Sequence, residues 1–316
     1  MVGLRGVLAA ALVVVVSILL DWWLQPVAVS NSSLRIVREI GPAEAPVLVF
    51  VHGWPDNAKI WTQHMDRLSG KFRCAAIELP HCSATPDTNV SAWGYDFDEL
   101  AEMLAATVRR LGRGTSVVLV AHDWGAWLAY MLERKYPDLV RALVTFDVGP
   151  GADLTVWGSV AILSYQSVAL SAFLVGRLPG VGASLGDALL RGFVEYVMPP
   201  LFGWGPPGTE LSPTPLSQMT ARSGYFYYHA LKRGLVYAKF MRQGYQGWDD
   251  SSIGELPRCP ILFLYGVRGL RALSGQRWCD ALSARNGSKA VAFESHHWLM
   301  HTHADEVGQL INDFLQ

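Results

Sequence analysis

The stretch Ser116-Val117-Val118-Leu119-Val120-Ala121-His122-Asp123-Trp124-Gly125 constrains this chain more than any other. A β-branched apolar run meets a small-x-acid-x-small pattern, and a helical pattern begins at once. Small residues two before and two after the central position are what a sharp strand-to-helix turn requires. Such a turn lifts the middle side chain above a sheet and sets it beside a helix N-terminus. Serine is the usual occupant of that place, and here it is Asp123. A carboxylate is ionised at neutral pH without help and can displace a leaving group from saturated carbon to form an ester. The plain alternative is an N-cap aspartate for the helix that starts at Trp124.

The surroundings supply the sheet that such a turn needs. Ala45–Val51, Phe72–Glu78, Ser116–Ala121, Ala142–Val148, Pro260–Gly266 and Lys289–Glu294 are short, continuous apolar or β-branched runs of the kind buried on both faces. Helical spacing separates them, in Asp96–Arg110 and Trp124–Lys135, and His303–Leu315 closes the chain as an amphipathic helix. This alternation predicts a doubly wound, mostly parallel α/β sheet. Residues 150–250 break the pattern with helical segments rich in Gly, Pro and aromatics. The expected layout is therefore a core of residues 35–149 and 251–316 with a helical cap at 150–250. Within the cap, Leu154–Gly176 carries no charged side chain, and its serines, Tyr165 and Gln166 favour a lid helix over a membrane span.

Charge and composition narrow the partners. Lys and Arg number 26 against 27 Asp and Glu, for a net charge of -1, so nothing draws the chain to nucleic acid. Only 17% of residues are charged against about 25% in an average soluble domain. Part of that oiliness sits in residues 1–34, where Arg5 precedes the uncharged run Gly6–Leu20, followed by Trp22 and Trp23. The run suits either a cleaved signal peptide or a retained signal anchor. Asn31, Asn89 and Asn286 stand in N-x-S triplets, which suit a glycoprotein with a lumenal or secreted catalytic domain. Membrane association in the endoplasmic reticulum or secretory pathway is the expectation, with secretion as the alternative. Cys74, Cys82, Cys259 and Cys279 have neither metal spacing nor a dense disulfide framework. Neither a metal nor a cofactor is expected.

Two further pieces accompany the turn at Asp123. Phe50-Val51-His52-Gly53-Trp54-Pro55-Asp56 follows a buried strand, and His52, Gly53 and Pro55 suit a substrate loop. The backbone N–H groups of Trp54 and Trp124 together would make an oxyanion hole. His296-His297-Trp298 follows the last strand, where a histidine reaches across the sheet top. His297 is the favoured base, with His296, His301 and His303 as the other histidines nearby.

With these motifs in place, the chain resembles an α/β-hydrolase of the epoxide hydrolase and haloalkane dehalogenase branch. The family's HGxP, HDWG and terminal H-[WF] motifs match His52–Pro55, His122–Gly125 and His297-Trp298, and the resemblance covers nearly everything after residue 35. It implies Asp123 as nucleophile and His297 as general base. It also implies two cap tyrosines that hold the epoxide oxygen, for which Tyr165 and Tyr228 are the candidates and Tyr225 and Tyr227 the reserves. The sequence departs from the commoner family pattern after Pro260–Gly266, where no carboxylate appears before Cys279. Asp147, at the end of the preceding core strand, is the candidate charge-relay acid.

The function so implied is hydrolysis of small lipophilic epoxides to vicinal diols through an aspartyl ester. The alternatives are a haloalkane dehalogenase-like hydrolase and a catalytically silent, membrane-tethered lipid-binding homologue.

Overall fold

In a computed structural model of the chain, the described residues are 32–83, 90–150, 156–199, 209, 213–236, 256–268 and 275–316. The run Gly6–Leu20 and the asparagines Asn31 and Asn89 lie outside them, as do Gly269 and the residues up to 274.

The first part of the core runs β1 (Arg35–Ile40), β2 (Val47–Val51), α1 (Thr62–Leu68), β3 (Arg73–Glu78), α2 (Phe97–Gly112), β4 (Val117–His122), α3 (Trp124–Lys135) and β5 (Val140–Phe146). Between β5 and the next core strand the described residues hold α4 (Val156–Val175), α5 (Gly182–Tyr196) and α6 (Tyr225–Val236). The core resumes with β6 (Ile261–Gly266), α7 (Gln276–Ser283), β7 (Lys289–Phe293), α8 (Leu299–Thr302) and α9 (Ala304–Phe314).

The strands form one seven-stranded sheet in the order β1-β3-β2-β4-β5-β6-β7. All neighbours are parallel except β1, which runs antiparallel along β3 with Arg35 opposite Glu78 and Ile40 opposite Cys74. Every residue of β2, β3 and β4 is buried, so both faces of the central sheet are covered. Fully burying a Val or Leu is worth about 1.5–3 kcal/mol, and β2 and β4 are built largely from such residues. The edge strand β1 was not among the expected strands. Its sequence RIVREI alternates exposed with half-buried positions, and its charged residues hide it from a search for apolar runs.

Helix α2 begins where its sequence says it should. The Asp96 carboxylate accepts from the Asp98 N–H at 2.8 Å, and Glu99 reaches back to accept from the Asp96 N–H at 2.8 Å. These reciprocal bonds satisfy donors that a helix start leaves open.

The chain leaves β2 toward β3 on one side and crosses back to β4 on the other. Strands β2 and β4 are therefore neighbours at a topological switch point, with Val51 level with Ala121. Loops leaving the carboxyl ends of two such strands diverge and open a crevice, which is where open α/β sheets bind ligands. The turns at His52–Asp56 and at Asp123 both leave the sheet at this point.

Helix α4 buries Tyr165, Ala169, Ala172 and Phe173 against the rest of the protein and packs on α5 and α6. Among the described residues, no helix is long and apolar enough to cross a membrane.

Candidate active site

The elbow at Asp123 has the backbone its sequence implies. Asp123 sits at φ 53° and ψ −123°, a conformation that side-chain-bearing residues adopt only when the surroundings hold them there. Two glycines permit it. A Cβ on Gly125 would stand 2.4 Å from the His52 carbonyl oxygen, and one on Gly53 would stand 2.4 Å from Asp123 Oδ1. The two turns thus close on each other to a spacing that no methyl group tolerates.

That closeness brings a donor to the carboxylate. The Trp54 N–H donates to Asp123 Oδ1 at 2.7 Å, and the Trp124 N–H is a second backbone donor to the same carboxylate. Burial raises the Asp123 pKa above the ordinary carboxylate value, against the opposing pull of His297 and these two N–H groups. On the other side, His297 Nε2 stands 3.9 Å from Asp123 Oδ2.

His297 lies in the turn between β7 and α8, and its Nδ1 donates to Asp147 Oδ2 at 2.7 Å. Asp147 directly follows β5 and also has a positive φ, 59°. Its other oxygen accepts from the Gly266 N–H at 3.0 Å at the end of β6. Burial alone would lower the His297 pKa, but the hydrogen bond and charge of Asp147, joined by Asp123 and Asp56, raise it above the ordinary histidine value. The carboxylates thus favour the protonated imidazole, the form a base takes after accepting a proton.

The cap closes this group from above, with one correction to the expected tyrosines. Tyr165 of α4 stacks on Trp54, with ring centroids 6.3 Å apart. Its partner over the carboxylate is Tyr227, not Tyr228. Tyr227 meets Trp54 edge-on at 5.1 Å, Tyr165 at 5.8 Å and Trp124 at 5.7 Å. Burial, then Tyr165 and the Asp123 charge, push its phenol far above the usual range, and it shares a hydrogen bond with Tyr165. Tyr228 packs instead with Trp93 at 5.1 Å and Phe173 at 5.6 Å. Adjacent residues on a helix point about 100° apart, so only one of the pair faces the carboxylate. The other reserve, Tyr225, packs against His81 and Phe226.

Of the remaining expected residues, Gly53, Trp54 and Pro55 are buried in the turn after β2, and the Trp54–Pro55 peptide is cis. His52 points inward: its Nδ1 donates to the Gly53 carbonyl at 2.9 Å and its Nε2 lies 2.9 Å from Glu78. It supports the loop from beneath. His296 hydrogen-bonds the Arg268 carbonyl at 3.1 Å, and His303 pairs with Thr302, both away from Asp123. His301 lines a separate groove of about 900 Å³, with Lys59, Gln63, Arg67 and Thr214.

Two further residues of this centre have roles that only the folded arrangement reveals. Asp56, fully buried, accepts from Trp298 Nε1 at 2.7 Å and from the Thr214 hydroxyl at 2.7 Å. It thereby ties the turn after β2 to the residue following His297. His122 places Nε2 3.1 Å from the His297 carbonyl oxygen, and burial holds its pKa well below the ordinary value, so it donates there as a neutral ring. Both stood in quoted motifs, Asp56 directly after Trp54-Pro55 and His122 directly before Asp123.

Comparison with known proteins agrees with this architecture. A family model described as alpha/beta hydrolase fold matches residues 46–265. A 2-(acetamidomethylene)succinate hydrolase of Mesorhizobium japonicum is 31% identical over 46% of this chain, and the chain spans about half, 53%, of that relative's length. An epoxide hydrolase 3 of Xenopus tropicalis is 25% identical over 87% of this chain and 73% of its own. A loop variant of a haloalkane dehalogenase from Bradyrhizobium elkanii superposes with a TM-score of 0.60 at 24% identity, over 90% of this chain and 96% of its own, and shows the shared fold. With the match covering well over half of its residues, this protein belongs to the alpha/beta hydrolase fold family.

Proposed function

We propose that this protein hydrolyses lipophilic epoxides to vicinal diols. The observation that carries this reading is the pair Tyr165 and Tyr227, hydrogen-bonded to each other and stacked around Trp54 beside the Asp123 carboxylate. Two phenols beside a carboxylate, with that of Tyr227 pushed far above its usual range by burial, suit a leaving oxygen that must be protonated as it departs. In a serine-type acyl transfer the triad histidine itself protonates the leaving group, so no cap phenol is needed.

In the first step Asp123 Oδ2 attacks an epoxide carbon, the C–O bond breaks, and a tyrosine proton goes to the departing oxygen. Asp123 Oδ1 keeps its bond from the Trp54 N–H and becomes the ester carbonyl. In the second step His297 takes a proton from water, and the hydroxide adds to Asp123 Cγ. The oxyanion on Oδ1 is met by the Trp54 and Trp124 N–H groups, and collapse expels the diol oxygen with the proton held by His297. Asp147 orients the imidazole and stabilises its charge. The regenerated Asp123 carboxyl releases the remaining proton of the water, and the tyrosine that gave up its proton regains one, as product leaves.

An apolar substrate suits the walls. Phe97 and Phe226 flank Trp124 at 5.0 and 5.8 Å, and Tyr227 completes the aromatic enclosure. A dehalogenase reading has one observation in its favour. The Trp54 indole N–H is buried without an acceptor, near the Trp124 indole that hydrogen-bonds Tyr227, and such donors suit a halide. Assay of fatty, terpenoid and aromatic epoxides for diol, beside haloalkanes for halide, tests the choice. Diol formation abolished by Asp123→Asn is the expected result. Halide release without diol supports the second reading, and saturable binding without either product supports a silent scaffold.

A further inference from the structure

We propose that the outer face of α4 and α5 is a lipid-docking surface, seated on the same bilayer that the chain's N-terminal apolar run would enter. Both helices turn large apolar side chains outward. Val160 and Leu163 on α4 are 49% and 63% exposed, and Val181, Leu185 and Leu189 at the start of and along α5 are 68%, 52% and 42% exposed. At about 100° per residue, Val160, Leu163, Ser164, Ser167 and Ser171 fall on one side of α4, opposite the buried Tyr165, Ala169 and Phe173. Positions 181, 185, 189 and 196 fall on one side of α5.

Several polar groups on and beside this face are turned inward or hydrogen-bonded within the helices. The hydroxyls of Ser164, Ser167 and Ser171, all exposed, donate to the carbonyls of Val160, Leu163 and Ser167 at 2.6–2.7 Å. That is how serines are accommodated on helices facing a medium without hydrogen-bonding partners. On α5, Asp187 and Arg191 pair at 3.4 Å and bind inward, to the Ala221 N–H and the Met219 carbonyl. Glu195, at the last turn, is the charge that borders the stripe.

The direction of β1 selects lipid over other covers. Because β1 runs antiparallel, its first residue Arg35 lies opposite Glu78, at the carboxyl edge of the sheet. The N-terminal residues therefore enter the fold at the edge where Asp123 and the turn at Trp54 also sit, beneath the cap. From Trp23 to Ser32 the chain has nine residue steps, a reach of about 32 Å at most. A bilayer entered by Gly6–Leu20 thus lies within reach of an apolar cap face on the same side. The resulting arrangement is that of an interfacial helix pair, its apolar face about 5–10 Å into the headgroup boundary. It delivers a lipophilic substrate to the cap directly. Delivery of substrate rests on the proposed function, whereas docking itself does not, and the test below reads no turnover.

The four cysteines of this chain are all buried, so a single introduced cysteine takes an environment-sensitive NBD probe selectively. Full-length Leu163→Cys and Leu185→Cys proteins, and Gln309→Cys on the exposed side of α9, are labelled and reconstituted into phosphatidylcholine vesicles with or without doxyl-labelled phosphatidylcholine. The expected result is blue-shifted emission at 163 and 185 that doxyl lipid quenches, with neither effect at 309. Emission at 163 and 185 that is unshifted overturns the proposal. So does shifted emission that doxyl lipid leaves unquenched, which would mean that a second copy or the chain's own Gly6–Leu20 run covers the face. Equal quenching at 309 overturns it as well.

Discussion

His297 Nδ1 and Asp147 Oδ2 stand 2.7 Å apart although 150 positions separate the two residues in sequence, and the bond crosses the carboxyl edge of the sheet from β5 to β7. In the proposed mechanism Asp147 orients and stabilises an imidazolium that forms only in ester hydrolysis. Asp147→Asn should therefore spare the first step and slow the second by about 10³–10⁴-fold. Intact mass analysis during turnover checks this: a hydroxyalkyl adduct on the enzyme should accumulate. Normal hydrolysis without adduct would mean that another group performs the role.

The pH dependence follows from the same bond. His297 is held above the ordinary histidine value, so its proton is bound more tightly and the neutral base is present only above that raised value. The hydrolytic step should rise with pH and level off above an inflection higher than that of a free imidazole. Asp56 contributes to the raised value through its charge. Asp56→Asn should move the inflection downward while the plateau above it changes little. A lower plateau with an unmoved inflection would assign Asp56 a purely structural part.

The tyrosines separate on their side chains. Tyr165→Phe and Tyr227→Phe should each slow ester formation by about 10²-fold or more, the usual contribution of a positioned acid. Tyr228→Phe should leave it near the parent rate, because Tyr228 packs with Trp93 and Phe173. Single-turnover adduct formation measures all three, and a large loss at 228 with none at 227 reverses the assignment.

What the sequence made visible, and what it did not, divides along physical lines. The buried strands were legible because burial on both faces demands continuous apolar runs. The turn at Asp123 was legible because its small neighbours are steric necessities. The contact of Asp147 with His297 was anticipated from the family resemblance and its place at a strand end. Strand β1 was hidden because an edge strand keeps charged residues. The choice between Tyr227 and Tyr228 depends on the rotation of α6 about its axis, which distant packing sets. Asp56 went unassigned because its partners, Thr214 and Trp298, lie 158 and 242 positions away.

Stability should record the closeness of the two turns. Gly53→Ala places a methyl group 2.4 Å from Asp123 Oδ1, and overpacking of this kind costs about 1–3 kcal/mol. On the cap, a Cβ at Gly192 meets nothing within 4 Å, and Gly192→Ala within α5 should stabilise by about 0.5–1 kcal/mol. Thermal unfolding of the two variants should shift in opposite directions. Equal shifts would show that the close approach of the turns carries no energy.

The most direct test of the account is a single turnover of a hydrolysed epoxide in heavy-oxygen water, followed by mass analysis of the peptide that carries Asp123. An ester intermediate cleaved at Cγ leaves one heavy oxygen in Asp123 and an unlabelled diol from that first turnover. Label in the diol with none in Asp123 would mean that water attacks the epoxide directly, and would contradict the role given to this carboxylate.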